Sequence, residues 1–312
     1  MIVCGGEALI DMIPCRTGDG ATCFSPHAGG AVFNTAIALG RLGMPTGLVA
    51  GISSDLFGSQ LRDILETSRV SLDLLVTRDL PTTLAFVTLK DGQARYAFYD
   101  ENTAGGTLTA DLLPELPARV AAIFIGGISL INEPCGSAFE TLASRHAGDA
   151  VIMTDANIRP SLVSDEGAYR RRLGRLSPMA DIVKLSDEDI DWLVEGTMTP
   201  EEYAHRILGT GARLVIVTRG PDGATAYTRD LAVGSVTDQA EVIDTVGAGD
   251  AFNAGILTSL ARQGLLAKPL IGELSKPALE TALEFANSVA AISVSRQGAD
   301  PPWLSELPAS AH

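Results

Sequence analysis

The stretch Asp244-Thr245-Val246-Gly247-Ala248-Gly249-Asp250, running into Ala251-Phe252-Asn253-Ala254-Gly255-Ile256-Leu257, carries the residue types from which chemistry can be built. Phe252, Ile256, Leu257 and Leu260 fall on one helical face, so a helix is expected to begin near Gly249. Glycines just before a helix let its first N–H groups point at an anion, and the helix dipole favours negative charge there. Asp250 then sits in the first turn as a candidate proton acceptor. That position predicts an ionised carboxylate whose pKa needs no raising. The plain alternative is a tight turn with an acid that merely complements the dipole. The dinucleotide fingerprint G-x-G-x-x-G fails because Phe252 takes its third glycine position. The P-loop fails too, since none of Lys90, Lys184, Lys268 and Lys276 precedes Ser or Thr, and the protein-kinase motifs are missing. Phosphoryl transfer at this loop would rest on backbone amides, a metal and arginine.

Such a loop needs a scaffold. Short apolar runs at Ile2–Gly5, 121–126, Val151–Asp155, 182–185 and Leu214–Thr218 are bounded by Gly, Asp or Ser, and several are followed by helical periodicity. Strands alternating with helices imply an α/β fold with a doubly covered, mostly parallel sheet, whose ligands bind beyond the strands' carboxyl ends. One region departs from this rhythm. Residues 84–89, a connection at 90–93 and residues 94–99 read as a β-hairpin with apolar side chains on both faces: Leu84 and Phe86 on one, Val87 and Leu89 on the other. A second strand pair is expected near residues 9–26, around a turn at Gly18–Gly20. Together they predict a single α/β domain over 1–312 with a small β-lid from about 9–28 and 82–102.

Composition narrows the class. The 312 residues are 46% hydrophobic and 20% charged, and 38 acids against 23 bases give a net charge of −15, which excludes a uniform basic footprint for nucleic acid or anionic lipid. The start Met1-Ile2-Val3-Cys4 lacks a signal peptide's basic opening and no run is long enough for a membrane span, so a cytoplasmic protein is expected. Cys4, Cys15, Cys23 and Cys135 show no paired spacing and are read as reduced structural thiols.

The loop at 244–255 resembles the C-terminal signature of the ribokinase-like carbohydrate kinases, the PfkB family. The family's companion motif matches Gly29-Gly30-Ala31-Val32-Phe33-Asn34-Thr35-Ala36, continuing through residues 39–43 to Gly51 and Asp55-x-x-Gly58. The likeness runs from Gly6-Glu7-Ala8-Leu9-Ile10-Asp11 to Gln297-Gly298-Ala299, and these two ends are most similar to bacterial fructokinases. The resemblance implies Asp250 as catalytic base and Gly247, Ala248 and Gly249 as an anion hole for the transferred phosphoryl. It implies Asp11, Gly29, Gly30 and Asn34 at the sugar, although Asn34 could instead cap a helix over 35–42. Arg159 is implied at the γ-phosphate or the sugar, with a surface ion pair as its alternative. Thr218, Gly220 and Gly223 match the nucleotide loop, where a plain strand–turn–strand is the rival, and Asn287 matches a position near the adenosine. The family's Asn-x-x-Glu, tied to the magnesium–phosphate network, is replaced here by Ser186 and Asp189, which also read as a helix capping box. Asp244 and Thr245, with residues 295–299, resemble a monovalent-cation site. His27, beside Gly29, is expected to be a lid residue without chemistry, with lining of the sugar pocket as the alternative.

The resemblance implies an ATP- and Mg²⁺-dependent sugar kinase, activated by K⁺, most similar to those that make fructose 6-phosphate. A 2-keto-3-deoxygluconate kinase is the alternative; its substrate's carboxylate would need Arg95 or Arg159. A non-catalytic sugar sensor is the rival from another class. The two-faced hairpin predicts a homodimer formed through the lids.

Overall fold

A computed structural model describes residues 1–90, 93–194, 196–237 and 240–308, the side chains of 87–90 and 93–96 excepted. Buried Val, Ile, Leu and Phe in short runs build a nine-stranded sheet in the order Ala232–Ser235, Ala224–Tyr227, Leu214–Thr218, Ile182–Ser186, Val151–Asp155, Ala122–Gly126, Ile2–Gly5, Thr46–Val49, Val70–Ser71. The seven strands from Leu214–Thr218 to Val70–Ser71 pair in parallel, and the last two in sequence close one edge antiparallel. Each run expected to be a buried strand is one, within a residue at its ends. Side chains alternate between two cores, as the period of a strand requires. One core lies under helices Ala31–Arg41, Ala248–Arg262 and Lys276–Val294, the other under Cys135–His146, Glu166–Leu176 and Pro200–Leu208. A sheet covered on both faces tolerates near-continuous apolar strands, which is why these runs lack polar alternation.

A separate four-stranded sheet forms the lid. Leu9–Arg16 pairs antiparallel with Thr22–Gly29 and parallel with Leu84–Lys90, which pairs antiparallel with Gln93–Tyr99. Ala85 and Phe98 share a register position, as do Leu84 and Tyr99, so the strands present two distinct faces. Phe98 and Asp11 line the main cleft, while Phe24, Phe86 and Tyr99 form an edge-to-face aromatic chain with centroids 5.0 and 5.5 Å apart. Phe24 and Tyr99 are exposed. Asp91 and Gly92 of the expected turn lie outside the described residues, as do the side chains of Val87, Leu89 and Arg95.

The cysteine reading needs correction. Cys15 and Cys23 are joined in a disulfide across the first lid hairpin, where they face each other in register. A turn centred between them brings them together, a spacing signal unlike the paired motifs sought in the sequence. Cys4 and Cys135 are buried free thiols.

Candidate active site

A cleft of about 470 Å³ opens between the carboxyl ends of the strands and the lid. Asp250 stands at its floor, 6% exposed, in the first turn of helix Ala248–Arg262. Gly247 caps that helix with φ 78°, a left-handed conformation that side-chain-bearing residues adopt only under strain. The turn leaves the N–H groups of Gly249 and Asp250 without a protein acceptor among the described residues, at the positive end of the helix dipole. Gly247, Gly249 and Thr245 line the cleft; Ala248 N–H donates instead to the Thr245 carbonyl at 3.3 Å.

Asn34 Nδ2 donates to Asp250 Oδ2 at 2.9 Å and so holds the carboxylate in place. Asn34 lies inside helix Ala31–Arg41, whose cap is Gly30, so the reading of Asn34 as a helix cap fails. Gly30 reaches φ 107° where the chain turns over Glu7, and a β-carbon there would lie only 3.0 Å from the Glu7 Cγ and carbonyl oxygen. Asp11 projects from the lid into the same cleft, and Gly29 packs against its carboxylate. Burial pushes the Asp11 pKa up to about 6. The Asp250 pKa is pushed up to about 7, first by burial and further by the charge of Asp155, against the Asn34 hydrogen bond and the cations Lys184 and Arg159. This overturns the expectation that its position alone would keep the group ionised: taking the carboxyl out of water outweighs the dipole.

Several cleft residues escaped the sequence reading. Lys184, in the middle of an apolar strand, is 4% exposed and its Nζ meets Asp155 Oδ2 at 3.0 Å. Asn253 Nδ2 donates to the same oxygen at 2.7 Å. Burial works against the Lys184 charge, but facing carboxylates of Asp155, Asp189 and Asp250 hold its pKa above the usual lysine value. The ammonium lies beside Gly249, 3.4 Å from where a side chain there would begin. Glu7, also buried, accepts from Val32 and Ser129 N–H groups at 3.4 and 3.3 Å. Asn157, left-handed at φ 44°, brings its Nδ2 to 3.5 Å from Asp250 Oδ1. The available signal was a single lysine and a single aspartate in short, mainly apolar runs.

The remaining sites divide. Arg159 lines the cleft, and its Nη1 donates to the carbonyls of Asn157 and Ile158, with no ion pair among the described residues. Thr218 and Gly220 line the cleft, whereas Gly223 lies at the close of the turn, packed against the Ser235 carbonyl. Asn287 does not line it; its Nδ2 donates to Ser235 Oγ and the Val236 carbonyl at 3.0 and 3.2 Å. Ser186 and Asp189 form the capping box, and both Asp189 oxygens accept backbone N–H groups, from Ile158 and Ser186, at 2.8 Å. The adjoining carboxylates at the mouth are Asp187 and Glu188. Asp244 Oδ2 accepts from Gly298 N–H at 2.9 Å, which joins the loop to the segment 295–299. His27 is exposed and outside the cleft.

A proton acceptor beside free helix N–H groups, two cations and a lid-borne carboxylate form a phosphoryl-transfer geometry for a polyhydroxylated acceptor. The description "pfkB family carbohydrate kinase" matches residues 1–306. The chain belongs to this family. A fructokinase of Rhizobium leguminosarum bv. trifolii is 47% identical over 280 residues, covering 89% of this chain and 85% of that protein. The crystal structure of a fructokinase with bound ATP from Xylella fastidiosa superposes with a TM-score of 0.87 at 30% identity, over 98% of this chain and 94% of the other. A Vibrio cholerae O395 fructokinase bound to fructose, ADP and calcium gives 0.82 at 26% identity, over 96% and 94%. The fold of this sugar kinase is therefore ribokinase-like. No described helix is long and apolar enough to cross a membrane.

Proposed function

We propose that this family member transfers the γ-phosphoryl of Mg²⁺-bound ATP to fructose, giving fructose 6-phosphate. The observation that carries this reading is the Asn34–Asp250 hydrogen bond at 2.9 Å beside unpartnered helix N–H groups. Asp250 accepts the proton of the attacking hydroxyl, and Asn34 fixes which lone pair faces it. Asp11 and Asn34 orient the sugar, with Gly29 and Gly30 letting the backbone come close. The N–H groups of Gly249 and Asp250, freed by the Gly247–Gly249 turn, meet with Lys184 and Arg159 the charge that grows on the transferred group. Thr218 and Gly220 border the nucleotide, with Gly223 and Asn287 shaping the strands behind it. The oxygens of Ser186, Asp187 and Glu188 suit the water-rich shell of Mg²⁺, and Asp189 acts by holding the 155–159 loop. Asp244 and Thr245 hold K⁺ beside the anion hole.

The lid, 9–28 and 82–102, and the α/β body work as one unit. The exposed face with Phe24 and Tyr99 pairs two copies into a homodimer. ATP as donor fits a cytoplasmic setting, where the Cys15–Cys23 bond is open to reduction. A panel of sugars scored by ADP release tests the assignment. Fructose should give the highest kcat/KM; a roughly tenfold preference for 2-keto-3-deoxygluconate would move the substrate. Thermal stabilisation by sugar without ADP formation would make the protein a sensor.

A further inference from the structure

Directly behind Asp155 and Lys184, on the other face of the large sheet, lies a second cavity of about 320 Å³. Strand alternation puts it there. Asp155 pairs with Lys184, and the preceding residues Thr154 and Val183 pair with each other. Asp155 and Lys184 therefore point towards helix Ala248–Arg262, while Thr154, Val183 and Leu185 point between helices Glu166–Leu176 and Pro200–Leu208. The walls are apolar, from Leu130, Leu173, Leu185 and Ile207. Four hydroxyl-bearing residues line the cavity too: Ser177 and Thr210 bond each other at 2.7 Å, and Thr154 at 8% and Tyr203 at 7% exposure are the buried two. Neither the Thr154 nor the Tyr203 hydroxyl hydrogen-bonds to another group among the described residues. Both hydroxyls are thus accessible from the cavity and open to a ligand's polar atoms.

The mouth is cationic. Arg170 is already engaged, with Glu166 and the carbonyls of Trp192 and Leu193. Arg206, one turn of helix from Tyr203, lines the cavity with no acceptor among the described residues. Burial raises the Tyr203 pKa and the charges of Arg206 and Arg170 act against it, so both cations lie within electrostatic reach of that hydroxyl. The volume falls in the range of small-molecule sites, which pair an apolar lining with a few placed polar groups.

We infer that this cavity is an effector site for a small amphipathic carboxylate: the apolar body lies between the two helices, the head group pairs with Arg206, and the Thr154 and Tyr203 hydroxyls bond its inner polar atoms. Occupancy bears on the backbone that carries Asp155 and Lys184, and so acts on kcat more than on sugar KM; this effect rests on the kinase reading above, whereas binding does not.

The test is titration calorimetry on the full chain, without turnover, using 6-hydroxyhexanoate, 8-hydroxyoctanoate and 3-(4-hydroxyphenyl)propionate, each beside its neutral amide. At least one acid should bind saturably below about 1 mM, with its amide about tenfold weaker. Arg206→Gln and Thr154→Val should each weaken the acid by about tenfold. Gly174→Leu should abolish binding, since a β-carbon at Gly174 on the rim meets nothing within 4 Å and the larger side chain fills the opening without opposing the helix. All three variants should keep basal fructose turnover. Absence of saturable binding by every acid, or binding indifferent to the three substitutions, overturns the site. Competition by ATP or fructose would place the acid in the main cleft and overturn it as well. Binding that leaves kcat unchanged overturns the effector role.

Discussion

Asp250→Asn removes the proton acceptor while keeping the shape of the side chain. The carbonyl oxygen of the introduced amide can still accept from Asn34 Nδ2, which turns the new amide nitrogen towards Asn157 and the sugar side, a donor where an acceptor was. A positioned base is worth ~10²–10⁴ in rate, so kcat should fall by that factor, about 3–5 kcal/mol of barrier. Stability should move the other way. The carboxyl titrates at about 7 in the fold against 3.8 outside it, so the folded state holds a proton that the unfolded chain has released. The contribution of this group to stability is therefore fullest below pH 4 and is lost as pH rises from about 4 to about 7; at the full linkage value the loss is roughly 4 kcal/mol. The amide carries no such penalty, so the variant should melt several degrees above the parent at pH 8 and lose that advantage at low pH. ADP release at saturating fructose and ATP, with melting curves at pH 5 and 8, measures both. Parent kcat/KM should rise through pH 7 as the base deprotonates, and that limb should vanish in Asp250→Asn. A variant kcat within about fivefold of the parent at pH 8 would refute the base assignment, whatever its melting temperature.

Three further outcomes are expected. Lys184→Met leaves Asp155 buried without its cation and should destabilise the fold by about 3–5 kcal/mol in a denaturant titration; adding Asp155→Asn should recover much of the stability but little of the turnover. Charging the lid face with Phe24→Glu and Tyr99→Glu should give a monomer by light scattering at micromolar concentration, and an unchanged mass would place the dimer contact elsewhere. Rates in potassium should exceed those in tetramethylammonium, and Asp244→Ala should erase the difference; equal rates in the parent would remove the cation site.

The parallel sheet could be read from the chain because a strand buried on both faces writes itself as a short apolar run between turn residues. The lid hairpin at 84–99 was readable for the opposite reason, as a two-faced apolar segment with no helix beside it. Asp250 and its glycines were visible because a helix start, an anion turn and an acid fall within seven residues. Lys184 was not, because one lysine among apolar neighbours has no partner until the strand Val151–Asp155 lies beside it and sets Asp155 opposite. The disulfide was missed for a similar reason: Cys15 and Cys23 are eight positions apart, and only the hairpin register makes them neighbours.

By itself, then, the sequence determined the local geometry: where strands run, and that a helix starts near 249 behind a glycine turn able to face an anion. Tertiary structure alone decided the electrostatics. Asp250 sits at a helix N-terminus, which favours its charge, yet packing against Asn34 and the 155–159 loop takes it out of water and pushes its pKa up to about 7. Dipole and capping effects act within one turn of the chain, so they can be read in order along it. Desolvation and ion pairing depend on which distant segments close over a group, here 216 residues apart for Asn34 and Asp250, and no local pattern carries that information.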